Sequence, residues 1–339
     1  MKVLVAKLSA FGDLIHALPA LDDLLASPEV DEVHWLIDER YAFVAEAFPP
    51  QVVVHRVALK GAHPFRSAWR AIRRLRAVGF DAILDMQGLV KSGVLARAVG
   101  SPVYGIDAGF VRESVNAWFT HPVRFHPEER HVVQQYRRVA TAPFVEHPAR
   151  APEQPIDYKA PHIPVTAAIR DAASDVTASL ELDGRPYVVL HVGGGWATKQ
   201  LPQNTWRALI DALSVRELAP LISWGTKAEL QQAQALCADR SAARVLPRRL
   251  HMLPLCGLLS QAKAVVGADT GVVHLAAALS TPTVSFWGAS ASWRSAPLGD
   301  GDRQIESNPE CGPCFKRQCD HFICMDRIRA EDILGAIDA

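Results

Sequence analysis

The loop Gly193-Gly194-Gly195-Trp-Ala-Thr-Lys199 is one of the chain's clearest candidates for chemistry, and it follows the apolar run 188–192. Three glycines let backbone amides approach a phosphate closely, and the Lys199 ammonium can neutralise phosphate charge. Taken alone, a flexible loop between a strand and a helix is an equally good interpretation. The Gly-Lys-Ser/Thr ending of a P-loop is missing, which disfavours a Walker-type nucleotidase.

A second candidate phosphate site lies where an apolar run is followed by Asp269-Thr270-Gly271 and then an apolar helical segment. Thr270 and Gly271 would offer backbone N–H groups at a helix N-terminus, which attracts anions. Asp269 could cap this helix or bind a ribose. His274, one turn further on, is by itself more typical of a satisfied core histidine. Together with the glycine loop and segment 224–229, these residues favour binding of a nucleoside diphosphate.

Asp13 is the candidate for proton transfer. The first predicted strand ends in segment 7–13, KLSAFGD, and a helical pattern begins at once at Asp13. Gly12 permits a tight turn, and the dipole of the helix favours a carboxylate at its start. A helix cap is the commoner role for such a residue, whereas its position in the first strand–helix loop favours a functional one. No Gly-x-Gly-x-x-Gly follows this strand, so a dehydrogenase is disfavoured. Four leucines at helical spacing are predicted to face the sheet: Leu14, Leu18, Leu21 and Leu25.

Four of the six cysteines are crowded into segment 311–324, as Cys311, Cys314, Cys319 and Cys324. In a reducing cytosol such a cluster favours metal ligands or reactive thiols over disulfides. Four thiolates at this spacing suit a tetrahedral structural zinc or iron ion. Four reduced thiols packed in a C-terminal loop are the alternative.

Short β-branched apolar runs alternate with longer helical patterns in both halves of the chain, which predicts an α/β fold with two parallel, doubly wound sheets. The predicted strands are Lys2–Lys7, Glu32–Asp38, Gln51–Val57, Asp81–Gln87, Val103–Asp107, Tyr187–Gly193, Pro220–Gly225, Arg244–Pro247, Ala264–Asp269 and Thr283–Gly288. A proline-rich stretch separates the halves, which predicts domains at 1–150 and 166–339 joined by a linker at 151–165. Ligands are expected at the carboxyl ends of the strands, in a cleft that the two Rossmann-like domains face.

The bulk composition excludes several classes of protein. The 339 residues are 49% hydrophobic and 21% charged, unlike a disordered or fibrous chain, and the formal net charge is zero. A dedicated nucleic-acid binder is therefore not expected. Because neither a secretory signal nor an apolar run long enough to cross a bilayer is visible, the protein is expected in the cytoplasm.

Four segments together resemble glycosyltransferase family 9, the ADP-heptose transferases of lipopolysaccharide core assembly. They are 7–21 (KLSAFGDLIHALPAL), 81–92 (DAILDMQGLVKS), 199–209 (KQLPQNTWRAL) and 264–279 (AVVGADTGVVHLAAAL). The resemblance spans nearly the whole chain, and the first and last segments are strong family marks. Segments 81–92 and 105–114 look most like the branch of the family that adds the first heptose to Kdo.

This resemblance implies a GT-B fold with the acceptor on the N-terminal domain and ADP-heptose on the C-terminal domain. It implies inverting transfer without a catalytic metal, in which Asp13 is the general base. Lys199 and the Thr270-Gly271 turn match the diphosphate site, beside the glycine loop. The remaining matches to donor-binding positions are Asp269, His274, Glu229 near the ribose and Leu250 against adenine.

The resemblance further implies Kdo2-lipid A as acceptor and peripheral contact with the cytoplasmic face of the inner membrane. The matching acceptor-side residues are Lys7, Ser9, Gln87, Lys91 and Arg112. The basic residues Lys60 and Arg66–Arg76 either help to dock the protein on that membrane or form an ordinary solvated face. Three alternatives stay open: a family member with another acceptor, such as heptosyltransferase II; a nucleotide-sugar epimerase of GT-B shape; and a module that only binds.

Overall fold

The apolar runs of the first half form a parallel sheet of six strands in the order β3-β2-β1-β4-β5-β6. They are seen in a computed structural model that describes residues 1–111, 113–182 and 184–339 and divides into two units, Met1–Pro161 and His162–Ala339. The strands are β1 (Lys2–Ala6), β2 (Glu32–Asp38), β3 (Val53–Val57), β4 (Ala82–Asp85), β5 (Val103–Ile106) and β6 (His121–Val123).

The helices of this unit cover the sheet because their apolar stripes face it. They are α1 (Phe11–His16), α2 (Leu18–Ala26), α3 (Pro64–Val78), α4 (Val90–Val99) and α5 (Val132–Thr141), with 3₁₀ turns at Glu39–Ala47, Ser114–Trp118 and Ala142–Phe144. Leu75 of α3 and Leu95 of α4 pack on Leu4 and Ile83 of the central strands.

The helical pattern that follows β1 differs from the predicted one in two respects. Helix α1 begins at Phe11, with Ala10 as its N-cap, so Asp13 is its third residue and not its first. The pattern is also broken at Ala17, because Pro19 lies in the first turn of α2 and cannot continue a helix across that point. Leu14, Leu18 and Leu21 are buried as predicted, whereas Leu24 is buried and Leu25 is only half-buried.

The second unit repeats the architecture with the order β12-β11-β10-β7-β8-β9. Its strands are β7 (Tyr187–His191), β8 (Ala219–Ser223), β9 (Arg244–Val245), β10 (Ala264–Ala268), β11 (Thr283–Trp287) and β12 (Asp302–Glu306). Its helices are α6 (Ala167–Asp171), α7 (Ser174–Ser179), α8 (Gln203–Val215), α9 (Lys227–Cys237), α10 (Met252–Ser260), α11 (Gly271–Ala278), α12 (Ser292–Ser295) and α13 (Ala330–Asp338), with 3₁₀ turns at Ala197–Lys199 and Met325–Arg327. Trp206 of α8 packs edge-on against Phe286 within its core.

All ten predicted strands are confirmed, although most are shorter at their carboxyl ends than the apolar runs suggested. Two of the four edge strands, β6 and β12, were missed, whereas the edge strands β3 and β9 were predicted. β6 contains a proline, which is tolerated at a sheet edge, and β12 (DRQIE) is mostly polar and half exposed. Because β6 and β12 bury little apolar surface, they leave a weak hydrophobic signal in the sequence.

Each unit has its topological switch point between its first and fourth strands, β1 beside β4 and β7 beside β10. Crossovers leave in opposite directions there, which opens a crevice at the carboxyl ends of the strands. The loops after these four strands are therefore where ligands are expected. No helix in residues 1–111, 113–182 and 184–339 is long and apolar enough to cross a membrane.

Candidate functional site

The glycine loop leaves the sheet directly after β7, and close packing requires its first glycine. A Cβ at Gly193 would lie 2.7 Å from His191 Nε2 and 3.0 Å from Glu229 Oε1, so a larger residue would displace both. Gly195 has a φ of +66°, a conformation that side chains rarely adopt. The loop ends in a 3₁₀ turn that carries Lys199, which is 9% exposed.

Lys199 meets Asp269, which directly follows β10, across the switch point. The Lys199 ammonium donates to Asp269 Oδ2 at 2.6 Å and to the Asp269 carbonyl at 3.1 Å. His274 Nε2 forms a 2.9 Å hydrogen bond with the other carboxylate oxygen. Burial alone would raise the pKa of Asp269, but the hydrogen bonds and charges of His274 and Lys199 hold it well below its usual range. The structure thus brings together three residues that the sequence analysis placed at the donor.

Thr270 is the N-cap residue of α11, and Gly271 opens the helix. The Thr270 hydroxyl is buried and has no hydrogen-bond partner among the described residues. A buried hydroxyl without a partner is costly, and the amides of a first helical turn also lack intrahelical partners. An anion at this helix start would satisfy both kinds of group, with the Lys199 ammonium close by.

Glu229 lies in the first turn of α9. Its Oε2 accepts from the amides of Gly225 and Thr226 at 2.7 and 2.9 Å, and Thr226 Oγ1 accepts from the Glu229 amide. This reciprocal arrangement is a capping box, so Glu229 has a structural role as well as the predicted one at a ribose. Leu250 is half-buried in the loop before α10, and its contact with adenine stays a prediction.

The sequence analysis missed a buried pair beneath the glycine loop. His191 and Ser223 end the neighbouring strands β7 and β8, and His191 Nδ1 lies 2.9 Å from Ser223 Oγ. Burial lowers the pKa of His191 to about 4, with Glu229 acting in the opposite direction, so the imidazole is neutral near pH 7. Both residues sit inside apolar strand runs, and only their position at strand ends could have marked them.

In the first unit, Asp13 is half-buried in α1 and two protein groups hold its carboxylate. The Ala10 amide donates to Oδ2 at 3.1 Å, and the Tyr136 hydroxyl donates to Oδ1 at 3.4 Å. The first contact is that of a helix-capping residue, as the structural interpretation of Asp13 requires. The second is not part of any cap, because Tyr136 comes from the distant helix α5.

Lys7 lies within the protein and is 2% exposed. Its ammonium donates to the Tyr136 hydroxyl at 2.7 Å and to the Met86 carbonyl at 3.1 Å, and it lies 4.6 Å from the centre of the Tyr136 ring. Lys7, Tyr136 and Asp13 therefore form a chain of hydrogen bonds. The geometry connects Lys7 to Asp13 through Tyr136, and contact between Lys7 and the acceptor stays a prediction.

Gln87 holds the backbone of the Asp13 loop, since its Oε1 accepts from the amides of Leu8 and Ser9, both at 2.9 Å. Gln87 is in turn positioned by Asp85, a fully buried carboxylate at the end of β4. Asp85 also accepts from Ser92 Oγ and Asn116 Nδ2, while burial raises its pKa. Contact between Gln87 and the acceptor stays a prediction. Asp85 and Asn116 were not predicted, because a single aspartate in an apolar strand carries no distinctive pattern.

The remaining predicted acceptor residues are only partly located. Ser9 is half-buried in the Asp13 loop, and Lys91 is exposed in the first turn of α4. Arg112 lies outside the described residues. The contacts of Ser9 and Lys91 with a substrate stay predictions.

The cysteine-rich segment, residues 311–324, packs at the end of the second unit. Cys311 is exposed, Cys314 and Cys319 are half-buried, and Cys324 is buried. Burial, together with the thiols of Cys314 and Cys311, raises the pKa of Cys324. Over the ranges that the structure covers, no three His, Cys, Asp or Glu side chains are grouped so that they could hold a metal ion. The metal site stays a prediction.

The chain is similar to proteins of known family and structure. A family model described as glycosyltransferase family 9 (heptosyltransferase) matches residues 68–322. Lipopolysaccharide heptosyltransferase 1 of Pseudomonas aeruginosa is 32% identical over 333 residues, covering 94% of this chain and 87% of that protein. The Escherichia coli heptosyltransferase WaaC, solved with ADP, has a TM-score of 0.73 at 25% identity and covers 100% of this chain and 99% of that one. E. coli ADP-heptose heptosyltransferase II has a TM-score of 0.76 at 18% identity, covering 100% and 98%, a likeness in fold alone.

Proposed function

Because the chain belongs to glycosyltransferase family 9, we propose that it moves L-glycero-D-manno-heptose from ADP-heptose to a Kdo residue of Kdo2-lipid A. The chain is a glycosyltransferase with a GT-B fold, as its family and its two parallel six-stranded sheets indicate. The observation that carries the proposal is the cluster of Lys199, Asp269 and Thr270 at the second switch point. It combines a cation, a helix start and a buried hydroxyl that can donate to an anion.

In the proposed reaction the diphosphate of the donor lies at the start of α11 and faces Lys199. As the bond between the anomeric carbon and the diphosphate breaks, negative charge builds up on ADP. The Lys199 ammonium and the first amides of α11 stabilise that charge most strongly in the transition state. Asp269 keeps Lys199 in place before the donor binds, and His274 keeps Asp269 in place.

Asp13 is the proposed general base. The attacking Kdo hydroxyl must lose a proton as it bonds to the anomeric carbon, and a carboxylate within hydrogen-bond reach accepts that proton. Tyr136 and the Ala10 amide orient the Asp13 carboxylate without neutralising it. Transfer on this account inverts the anomeric centre and needs no metal.

The cysteine-rich segment is proposed to hold one structural zinc or iron ion on Cys311, Cys314, Cys319 and Cys324. Support comes from the close spacing of the four cysteines in the sequence. Elemental analysis of protein purified without added metal should give about one ion per chain, and chelation should lower the melting temperature before it lowers turnover. Metal-free protein with four titratable thiols and unchanged melting would contradict this part of the proposal.

Helix α3 supports the proposed peripheral contact with the inner membrane. Its outer face carries Phe65, 89% exposed, and Trp69, 60% exposed, beside Arg66, Arg70 and Arg73. Exposed aromatic rings flanked by arginines are typical of helices that lie in the interface of an anionic bilayer. Arg74 and Arg76, in contrast, donate to the carbonyls of neighbouring segments and belong to the fold.

This contact can be tested with vesicles that contain anionic lipid. Replacing both Phe65 and Trp69 by Ser, or reversing the charge of Arg70, should reduce vesicle binding and leave transfer to a soluble, delipidated acceptor unchanged. Arg240→Ala is the control, because it removes an arginine charge from the other unit, where the half-buried Arg240 pairs with Asp211. Unchanged vesicle binding would leave α3 an ordinary solvated face.

The function itself is tested by incubating the protein with ADP-heptose and Kdo2-lipid A and measuring the mass of the lipid. One added heptose on Kdo is the expected result. Addition only to a lipid that already carries heptose would identify an enzyme of the heptosyltransferase II type. Conversion of the donor without acceptor would identify an epimerase.

A further inference from the structure

The cysteine-rich segment makes direct contact with the glycine loop. Thr198 belongs to this loop and is 2% exposed. Its hydroxyl donates to the Lys316 carbonyl at 2.6 Å. The Cys324 thiol lies 4.0 Å from the Thr198 carbonyl. The segment is also tied to the sheet, because the Phe315 amide donates to the Ala289 carbonyl just beyond β11. The residue next to Lys199 is thus fixed by a segment more than a hundred positions away.

Trp196 is the second point of contact, and it is shared by two cations. The Lys199 ammonium lies 4.3 Å from the centre of its ring, and the Arg317 guanidinium lies 5.5 Å from the same centre. Arg317 itself is exposed and comes from the cysteine-rich segment. The two charges are therefore at most about 10 Å apart, and they share one aromatic ring.

These contacts converge on the residue that faces the donor. Thr198 is bonded to the segment, Trp196 is covered by Arg317, and Lys199 is adjacent to the first and stacked on the second. A cation over a tryptophan face stabilises that ring position, and a buried hydrogen bond fixes the backbone beside it. A loop that contains three glycines has much conformational freedom to lose on binding a ligand, so external contacts that order it reduce that cost.

We propose that the cysteine-rich segment is part of the donor site and that Arg317 is a positioning residue. Through Trp196, Arg317 holds the glycine loop in the conformation that presents Lys199 to a nucleoside diphosphate. The Thr198 hydroxyl fixes the same loop from its other side. This inference rests on the proposed function only in that the ligand is taken to be ADP or an ADP-sugar.

The first test is the affinity for ADP, measured by calorimetry, together with donor KM and kcat. Arg317→Ala should weaken ADP binding and raise donor KM by about three- to fivefold, the size expected from one partly exposed cation–π contact. The kcat at saturating donor should change by less than twofold, and Arg317→Lys should restore much of the loss. The control Arg240→Ala removes the same charge from the same unit without touching the loop. Unchanged ADP affinity in Arg317→Ala would overturn the proposal.

A double-mutant cycle separates positioning from direct contact with phosphate. If Arg317 acts through Trp196, Arg317→Ala should have almost no further effect on ADP affinity in a Trp196→Leu protein. An undiminished loss in that background would mean that Arg317 touches the ligand itself, which would overturn its positioning role.

Thr198 gives an independent test that does not depend on any charge. Thr198→Val keeps the shape but leaves the Lys316 carbonyl without its donor, and it should weaken ADP binding about tenfold. Thr198→Ser keeps the hydroxyl and should bind ADP within twofold of the parent protein. Equal affinities in Thr198→Val and Thr198→Ser would overturn the role of the segment. Failure of the parent protein to bind ADP would instead overturn the proposed function, so the two failures are distinguishable.

Discussion

The two units share one strand order but place opposite chemistry at their switch points. After β1, a short loop leads to a carboxylate, Asp13, and the nearby cation Lys7 is buried against Tyr136. After β7, three glycines lead to a cation at the edge of the site, Lys199, which is paired with a carboxylate from the neighbouring strand. The same sheet geometry can thus serve proton transfer or anion binding, and the loop residues decide between them.

The two lysines make this difference clear. Lys7 is buried and donates to two neutral groups, a carbonyl and the Tyr136 hydroxyl, and that hydroxyl connects it to Asp13. Lys199 is bonded to the charged Asp269, beside a helix start whose hydroxyl has no partner among the described residues. Among the described residues, the buried Thr270 hydroxyl gives an anionic ligand a group to bind at the second of these places.

The largest expected effect is that of Asp13→Asn. Asparagine keeps the shape and caps a helix almost as well as aspartate, but it cannot accept the proton. Transfer should fall by about 10²–10⁴-fold, while the melting temperature and ADP affinity stay unchanged. Steady-state transfer rates measure this, with Asp31→Asn as the surface control in the same unit. Near-normal transfer by a folded Asp13→Asn protein would leave Asp13 a cap only.

Lys199→Ala should have the next largest effect, about 10²-fold on kcat/KM, because it removes a charge opposite the leaving group. The loss in kcat should exceed the loss in ADP affinity, since charge on ADP grows as the bond breaks. Rate measurements at varied donor concentration separate the two, with the exposed Lys263→Ala as control. A variant with normal kcat and only a raised donor KM would assign Lys199 to binding alone.

Acid should destabilise the second unit through His191. The pKa of His191 is about 4 in the folded protein, below its ordinary value of 6.5. Between these two pH values the unfolded chain binds more protons than the folded chain, so stability falls as the pH falls. His191 alone should then lower the free energy of unfolding by about 2 kcal/mol between pH 7 and pH 5. Urea unfolding at both pH values measures this loss, which His191→Asn should reduce and the exposed His147→Asn should not. An equal loss in His191→Asn would mean that other groups cause it.

Tyr136→Phe should have the smallest effect, a loss of about tenfold in transfer rate with ADP affinity unchanged. The change removes the hydroxyl that joins Lys7 to Asp13, so it also leaves a buried ammonium with one partner fewer and lowers stability. Transfer rate and melting temperature should be measured together, against Tyr104→Phe as a matched control. A destabilised protein with a normal rate would make Tyr136 purely structural.

The sequence predicts what is local and fails where contacts come from far along the chain. Asp13, Lys199 and Thr270 could be predicted as candidates because each follows an apolar strand run by a few residues, where parallel sheets place ligand groups. Tyr136 could not be found in this way, since it reaches Asp13 from 123 positions away and lies in an ordinary amphipathic helix. The burial of Lys7 could not be predicted from the sequence either, because a lysine at the end of a strand is equally consistent with an exposed cation.

The cysteine-rich segment shows the same limit in another form. Its spacing suggested a metal, but nothing in that spacing indicated that Lys316 and Arg317 would lie against the glycine loop. A contact between two loops depends on the tertiary arrangement of the sheet edge, and hydrophobic periodicity does not report it. The break between α1 and α2 is the opposite case, because a local residue, Pro19, indicates it in the sequence. The helical spacing of the leucines nevertheless favoured one continuous helix.

The division of roles between the two switch points is tested most directly by measuring ADP affinity and heptose transfer on the same preparations of Asp13→Asn and Lys199→Ala. We expect Asp13→Asn to bind ADP like the parent protein and to transfer almost no heptose. We expect Lys199→Ala to lose both ADP affinity and transfer. Loss of ADP affinity in Asp13→Asn, or normal transfer by it, would contradict the assignment of proton transfer to the first unit and donor binding to the second.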